Sequence, residues 1–161
     1  MDKLNGQVAI ITGGGVGIGF AIAEVLAEAD IAGIVIADVE NAESAAADIS
    51  ERFATDAIGI TTDVADSTQV DAMVEETIRK FQRVDILVNN AGIAPTVTWD
   101  EVTEANWRHV LDVNLNGAFL CTRAVLPAMS RQKSGRIVNI SSVGGFLGSV
   151  CAHPAYGVSK A

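Results

Sequence analysis

The sequence predicts an α/β fold in which a parallel sheet is covered by helices on both faces. Five short apolar runs lack the alternation of half-exposed strands, and segments with helical periodicity separate them. Glycine, asparagine, serine or aspartate follows most of these runs directly. In parallel α/β sheets the carboxyl ends of the strands meet at one edge, where ligands bind. The pattern therefore predicts a single domain over residues 1–161 with a site along that edge.

The composition favours a soluble protein of the cytoplasm. Charges interrupt every apolar run before it reaches the roughly 18 residues that a membrane span requires. The net charge of −9 argues against a nucleic-acid partner, and the N-terminus lacks the pattern of a secretory signal. Cys121 and Cys151 are too few for a disulfide framework, and we expect them to be small buried hydrophobes. No metal site is predicted.

The first strand covers Val8 to Ile11, and a glycine-rich turn over residues 13–19 follows Thr12. Ile18, Ile22, Val25, Leu26 and Ala29 then recur at helical spacing, which predicts that they form the buried side of a helix. A glycine turn before a helix allows positive φ and presents free N–H groups to a phosphate, although such clusters also form plain turns. The strict G-x-G-x-x-G pattern fails at Ile18, and the P-loop lysine is absent.

The second strand, residues 34–37, ends at Asp38, which lies 25 residues after Gly13. In a dinucleotide-binding fold a carboxylate at this place accepts hydrogen bonds from the adenosine ribose and repels a 2′-phosphate. Asp38 therefore predicts NAD rather than NADP. The alternative is a solvated aspartate that merely ends a strand.

The middle of the chain continues the alternation. The expected elements are a helix over residues 42–53, a strand over 57–61, a helix that begins near Ser67 with Asp66 or Ser67 as N-cap, and a strand over 84–88. Asp63 and Val64 follow the third strand, and Asn89-Asn90-Ala91-Gly92 follows the fourth, where two adjacent amides can tie neighbouring loops together. Trp99, in the next loop, either contacts substrate or packs against the core.

A long helical region follows, with Thr103 as its N-cap. The side chains expected on its buried side are Trp107, Val110, Leu111, Ala118, Phe119 and Val125. Asn114 faces the same side, where an amide without partners would cost several kcal/mol. Asn114 therefore either makes a structural hydrogen bond or serves a site.

The fifth strand, residues 136–140, ends at Ser141 and Ser142. After a glycine-bearing loop, Pro154 opens a helix on which Tyr156 and Lys160 share one face at i,i+4 spacing. A phenol in water loses its proton only near pH 10, so a nearby ammonium group would be needed to stabilise its anion. Lys160 can supply that charge to Tyr156.

Five motifs in this order resemble the short-chain dehydrogenase/reductase family. They are T-G-x-x-x-G-x-G from Thr12, Asp63-Val64, Asn89-Asn90-Ala91-Gly92, Asp112-Val113-Asn114, and a strand-end serine followed by Y-x-x-x-K from Tyr156. The resemblance implies a Rossmann-like three-layer sandwich with a doubly wound parallel sheet in the strand order 3-2-1-4-5. It also implies an NAD-dependent oxidoreductase that interconverts a secondary alcohol and a ketone.

The resemblance assigns roles to individual residues. The cofactor residues it implies are Gly13, Gly17, Ile18 and Gly19 in the turn, Asp38 at the ribose, Asp63 and Val64 at the adenine, and Asn90, Tyr156 and Lys160 near the nicotinamide ribose. Tyr156 exchanges the proton, Lys160 stabilises its anion, Ser142 holds the substrate oxygen, and Asn114 kinks its helix and holds a water beside the lysine. Val16 and Val39 stand where NADP-dependent members often carry a basic residue.

Two departures leave alternatives open. Thirteen residues separate Ser142 from Tyr156, one more than the family spacing, so Ser141 competes for the substrate role. The chain ends one residue past Lys160, before the family's last strands and substrate segment. The alternative functions are thus a non-catalytic NAD-binding fragment, an NAD-sensing regulator, and a 3-oxoacyl-acyl-carrier-protein reductase-like activity. For the full-length protein we expect a homodimer or homotetramer.

Overall fold

Five parallel strands form one sheet in the order β3-β2-β1-β4-β5. The computed structural model describes residues 4–147 and 153–161. The strands are Val8–Thr12 (β1), Gly33–Asp38 (β2), Asp56–Thr61 (β3), Ile86–Asn89 (β4) and Arg136–Asn139 (β5). The predicted α/β class and strand order are therefore confirmed.

In the described part of the chain, six α-helices connect and cover the strands. They are Gly17–Glu28 (α1), Ala42–Arg52 (α2), Ser67–Phe81 (α3), Glu104–Leu111 (α4), Gly117–Gln132 (α5) and Pro154–Lys160 (α6), with a π-helical segment, Asp112–Asn116, between α4 and α5. Short 3₁₀ turns occur at Trp99–Glu101 and Val143–Gly145. No helix in the described part of the chain is long and apolar enough to cross a membrane.

The two faces of the sheet build two separate hydrophobic clusters. Ala9 and Ile11 of β1 pack with α1 and α2, whereas Ile10 between them packs with α3 and α5. This double burial explains why the strand sequences are apolar without alternation. Cys121 of α5 lies fully buried in the second cluster, and burial raises the pKa of its thiol to about 12. The prediction for Cys151 concerns a residue outside the described part.

Two predictions about buried helix faces were wrong. In α1 the buried residues are Gly19, Ala23 and Ala27, whereas Ile18 is 67% and Val25 is 50% exposed. Small side chains face the sheet there because α1 begins in direct contact with the glycine turn, so size rather than apolarity selects its inner face.

Phe119 in α5, expected to be buried, is 61% exposed. It lies two residues from both Gly117 and Cys121, which are buried, so it points about 200° around the helix from each of them.

The remaining predicted boundaries agree to within a few residues, and Asp66 is the N-cap of α3.

A buried carboxylate joins the amino ends of β1 and β4. Asp85 accepts hydrogen bonds from the Val8 backbone N–H at 2.9 Å and from Arg83 Nε and Nη2 at 2.7 and 2.8 Å. The Asp85 carboxylate raises the pKa of Arg83. Because Asp85 is buried and Arg83 is half-exposed, the bonds to the carboxylate replace water that it lost on folding.

We predict that Asp85→Ala lowers the free energy of unfolding by about 3 kcal/mol, because a buried N–H and a guanidinium lose their partner. Urea denaturation measures the loss. The control is Asp48→Ala, which breaks an exposed i,i+4 pair with Arg52 and should cost less than about 1 kcal/mol. Equal losses for the two variants would contradict this account.

Candidate functional site

The carboxyl ends of the strands open into a cleft of about 620 Å³. The turn after β1, the end of β2, the loops after β3 and β4, the end of β5 and helix α6 all contribute to its lining. Among the predicted site residues, all of which lie in the described part, only Gly17, Gly19 and Asn114 do not line this cleft. Residues that are distant in sequence thus share one concave surface at the edge that the sequence indicated.

The turn between β1 and α1 needs its glycines for two different reasons. Gly13 and Gly17 have φ values of +63° and +59°, a region that other residues rarely adopt. Gly19 needs space instead, since a Cβ atom there would lie 2.2 Å from the Gly13 carbonyl oxygen and 2.6 Å from Asn90 Nδ2. The first turn of α1 therefore rests directly on the loop.

Asn90 joins the turn after β1 to the loop after β4. Its Nδ2 donates to the carbonyl oxygens of Thr12 and Gly13 at 3.0 and 2.8 Å. In return Thr12 Oγ1 accepts from the backbone N–H groups of Asn90 and Ala91, each at 3.1 Å. The two loops form one hydrogen-bonded unit, as the adjacent amides led us to expect.

Asp38 lies at the end of β2 with its carboxylate fixed by the backbone. Oδ2 accepts from Gly15 N at 2.9 Å, and Oδ1 accepts from Glu40 N at 3.3 Å. Lys160 is the only Lys or Arg among the described residues that line the cleft, and it contacts the end of β5. Three strand spacings, about 14 Å, separate β5 from β2. No described cation of the cleft lining therefore neutralises Asp38.

Asp63 and Val64 form the wall beyond β3. Asp63 Oδ1 accepts from Ala65 N at 2.9 Å, and the backbone N–H of Asp63 donates to Gln69 Oε1 at 2.9 Å. Asp63 Oδ2 has no hydrogen-bond partner among the described residues. Val64 is buried against α5, where a Cβ on Gly117 would come within 2.7 Å of its side chain.

Ser142 and Tyr156 both lie next to Gly144. A Cβ on Gly144 would be 3.4 Å from Ser142 Oγ and 3.1 Å from Tyr156 Cε1. Ser142 Oγ accepts from Gly144 N at 3.1 Å, and the Tyr156 hydroxyl has no hydrogen-bond partner in the described part of the chain. Ser141 Oγ instead donates to the Lys160 carbonyl oxygen at 2.8 Å. Of the two serines, Ser142 is therefore the one placed beside the tyrosine.

Lys160 reaches the end of the fifth strand. Its Nζ donates to the Ile140 carbonyl oxygen at 2.8 Å. A Cβ on Gly92 would lie 3.5 Å from this Nζ and 3.4 Å from Asn114 Oδ1. The Lys160 ammonium and the Asn114 amide therefore both lie next to Gly92.

Asn114 is buried in the π-helical segment between α4 and α5. Its Oδ1 accepts from Ile93 N at 2.8 Å, and its Nδ2 donates to Ile93 O at 2.9 Å and to Ser159 Oγ at 3.1 Å. These bonds use both hydrogens of the amide, so the side chain makes structural hydrogen bonds. π-Helical turns of this kind are frequent at functional sites.

Sequence reasoning missed His153 and gave no answer on Trp99. His153 is 1% exposed and is the N-cap of α6. Its position directly before Pro154, which opens the helix, was the sequence signal that could have indicated this role. Trp99 is 79% exposed and does not pack against the core. His109 of α4 also lines the cleft, and no motif had indicated it.

Comparison with known proteins places this geometry in a family. The model for "short chain dehydrogenase" matches residues 7–161. The chain is 41% identical over 151 residues to a 3-oxoacyl-[acyl-carrier-protein] reductase of Synechocystis, covering 92% of this chain and 61% of that protein. The chain belongs to the short-chain dehydrogenase family.

Two further relatives of the chain are named as polyol dehydrogenases. A galactitol 2-dehydrogenase of Rhizobium johnstonii is 40% identical over 166 residues, covering 99% of this chain and 62% of that protein. The structure of an NAD⁺-bound xylitol dehydrogenase superposes with a TM-score of 0.90 at 35% identity, covering 99% of this chain and 61% of that one. The chain therefore spans about three-fifths of the length of these relatives.

We predict that Gly19→Ala weakens nucleotide binding at least about tenfold, because its methyl group would push α1 away from the Gly13 carbonyl oxygen. Titration of cofactor fluorescence on the full-length protein measures the dissociation constant. The matched control is Ala21→Gly, at an exposed position of the same helix, which costs about 1 kcal/mol of helix stability without a clash. Unchanged binding by Gly19→Ala in a folded protein would refute the role of close approach.

Proposed function

We propose that this oxidoreductase uses NAD to interconvert a secondary alcohol and a ketone. The observation that carries the proposal is the division of the cleft into two ends. Ser142, Tyr156 and Lys160 line one end, and the glycine turn and Asp38 line the other. A dinucleotide that spans the cleft would bring its reactive ring to the tyrosine end.

The residues of the cleft suit a nicotinamide dinucleotide. The cleft volume of about 620 Å³ lies within the range of small-molecule sites. Helix α1 has no acidic residue in its first turn, so its positive end is free to attract a diphosphate. The two loops that hydrogen bonds among Thr12, Gly13 and Asn90 join would hold the diphosphate in place. We propose Gly13, Gly17, Ile18, Gly19 and Asn90 as its contacts.

Asp38 supports NAD over NADP. The carboxylate is already oriented by Gly15 N and Glu40 N, and its charge would meet the ribose hydroxyls rather than a 2′-phosphate. Val16 and Val39, both exposed at the cleft, offer a phosphate no positive charge. At the adenine we propose Val64 and Asp63, whose Oδ2 accepts no hydrogen bond from any described residue.

The chemistry divides between cofactor and protein. When bound, a nicotinamide would supply a hydride acceptor for the alcohol carbon or a hydride donor for the ketone. Ser142 Oγ holds the substrate oxygen beside Tyr156, whose hydroxyl takes the alcohol proton or gives it to the ketone oxygen. The Lys160 ammonium stabilises the tyrosine anion from one helical turn away. Asn114, whose amide fixes Ile93 and Ser159, positions the segment next to Lys160, and a water-mediated proton path there remains a prediction.

A second candidate is reduction of a 3-oxoacyl group on acyl carrier protein. The 41% identity to the Synechocystis reductase favours it. The same serine, tyrosine and lysine would serve that reaction, whereas Asp38 counts against it if the reductant is NADPH. Comparing NAD-dependent alcohol oxidation with NADPH-dependent reduction of 3-oxoacyl substrates separates the two candidates.

We further propose that residues 1–161 form the cofactor-binding domain of a cytoplasmic homodimer or homotetramer. Leu115, Phe119 and Leu126 are exposed at positions that share one side of the α5 region, which supports a subunit contact there. Sedimentation of the full-length protein tests the assembly.

We predict that Tyr156→Phe lowers kcat by about 10²- to 10⁴-fold, since it removes only the hydroxyl that transfers the proton. The dissociation constant for NAD should stay within about twofold of the wild type, because the glycine turn and Asp38 are untouched. Steady-state kinetics and cofactor titration give the two values. As matched serine variants, Ser142→Ala should lower kcat strongly and Ser141→Ala only slightly. Turnover retained by Tyr156→Phe would overturn the assignment.

We predict that Asp38→Asn raises the preference for NADP over NAD by about tenfold, which corresponds to roughly 1.4 kcal/mol of removed repulsion. Adding Val39→Arg should raise it further by supplying a phosphate partner. The ratio of kcat/KM with the two cofactors is the readout. Glu40→Gln removes the same charge two residues away, outside the cleft lining, and should leave the ratio unchanged. Equal effects of Asp38→Asn and Glu40→Gln would contradict a local contact.

A further inference from the structure

We infer that His153 is a positioning residue, which fixes the first turn of α6 and so sets Tyr156 for proton transfer. The inference rests on the proposed function for its catalytic consequence. Its structural basis is independent of that function. His153 is fully buried, and the residues that hold substrate or cofactor in the proposal do not include it.

The imidazole is the side-chain cap of α6. Nδ1 accepts a hydrogen bond from Ala155 N at 3.1 Å, at the second residue of the helix. The His153 carbonyl oxygen accepts from Tyr156 N at 2.8 Å, so the backbone of the tyrosine is bonded directly to the same residue. Because Pro154 has no N–H, Ala155 and Tyr156 carry the first two N–H groups of the helix, and His153 satisfies both.

The second ring nitrogen extends this contact to α4. Since Nδ1 accepts, the ring hydrogen lies on Nε2, which donates to Asn106 Oδ1 at 2.9 Å. Asn106 is itself part of the capping box of α4, where its Oδ1 accepts from Thr103 N at 2.8 Å. The His153 backbone N–H donates to Pro95 O at 2.9 Å, in the loop after β4. One residue therefore connects the starts of α4 and α6 with the loop beyond Gly92.

Polar contacts hold the described part of α6, Pro154–Lys160, on both sides of Tyr156. Its far end is held by Ser159 Oγ, bonded to Asn114, and by Lys160 Nζ, bonded to Ile140 O. At its amino end the helix is held by the hydrogen bonds from Ala155 N and Tyr156 N to His153. The Tyr156 hydroxyl has no partner in the described part of the chain, so the backbone of this turn determines where it points.

A purely space-filling role for the ring makes different predictions from a capping role. Leucine would fill most of the volume of the imidazole without any hydrogen bond. Asparagine would leave part of the volume empty, yet its Oδ1 can accept from Ala155 N, because asparagine is among the best N-cap residues. The variants His153→Leu and His153→Asn therefore separate capping from packing.

The test measures kcat, KM, the dissociation constant for NAD and the melting temperature of the full-length variants. For His153→Leu we expect kcat to fall by about 30-fold, because a displaced tyrosine slows proton transfer, while KM and cofactor binding change by less than about threefold. For His153→Asn we expect kcat within about threefold of the wild type. Thr55→Ala, which removes a buried hydroxyl at the amino end of β3, is the stability control and should lower the melting temperature without lowering kcat.

Two kinetic results would overturn the inference. Either His153→Leu keeps wild-type kcat, or His153→Asn loses as much activity as His153→Leu. Hydrogen exchange of residues 154–160 distinguishes this failure from failure of the proposed function. If the wild type oxidises no alcohol with NAD, the proposed function fails, and faster exchange in His153→Leu but not in His153→Asn still supports the cap. Unchanged exchange in both variants refutes it.

Discussion

The close approach of α1 to the glycine turn is the constraint on which the site depends. The helix can start there only because Gly19 has no side chain to meet the Gly13 carbonyl oxygen and Asn90 Nδ2. That contact brings the positive end of α1 to the carboxyl edge of the sheet and selects small residues along the inner face of the helix. The same approach lets Asn90 bond the carbonyl oxygens of Thr12 and Gly13. The glycine turn after β1 and the loop after β4 are consequently one hydrogen-bonded unit.

The end of the cleft that contains Ser142, Tyr156 and Lys160 is built in the same way, by polar side chains that bridge segments distant in sequence. Asn114 bonds both backbone groups of Ile93 and also Ser159, and Lys160 bonds the end of β5. Each bridge satisfies a group that burial would otherwise penalise, so the polar network that shapes the site also stabilises it. A substitution in this network is therefore expected to change stability and geometry together, which is why the control variants matter.

Sequence reasoning recovered the strand order and the convergence of most predicted site residues, because both follow from parallel strands whose carboxyl ends share an edge. It failed where side-chain size or helix rotation overrides apolarity. Ile18 and Val25 were expected in the core, but Gly19 and Ala23 occupy it because the helix lies too close for larger groups. Phe119 was counted as buried for its apolarity although its angular position opposes that of Gly117 and Cys121. The different bonding of Ser141 and Ser142 depends on backbone directions that spacing does not encode.

His153 shows why a sequence motif identifies Tyr156 and Lys160 more readily than the residues that support them. Tyrosine and lysine are recognisable at i,i+4 spacing because both must face one site, and this restricts which residues can stand there. A cap has to supply only one acceptor at one N–H, and serine, threonine, aspartate and asparagine can all do so. Here a histidine serves, and its second nitrogen reaches Asn106 of another helix, which a shorter side chain at this position would not do. The residue that caps such a helix can therefore differ in type while the helix geometry is kept, so it is identified from the hydrogen bonds of the structure rather than from a sequence pattern.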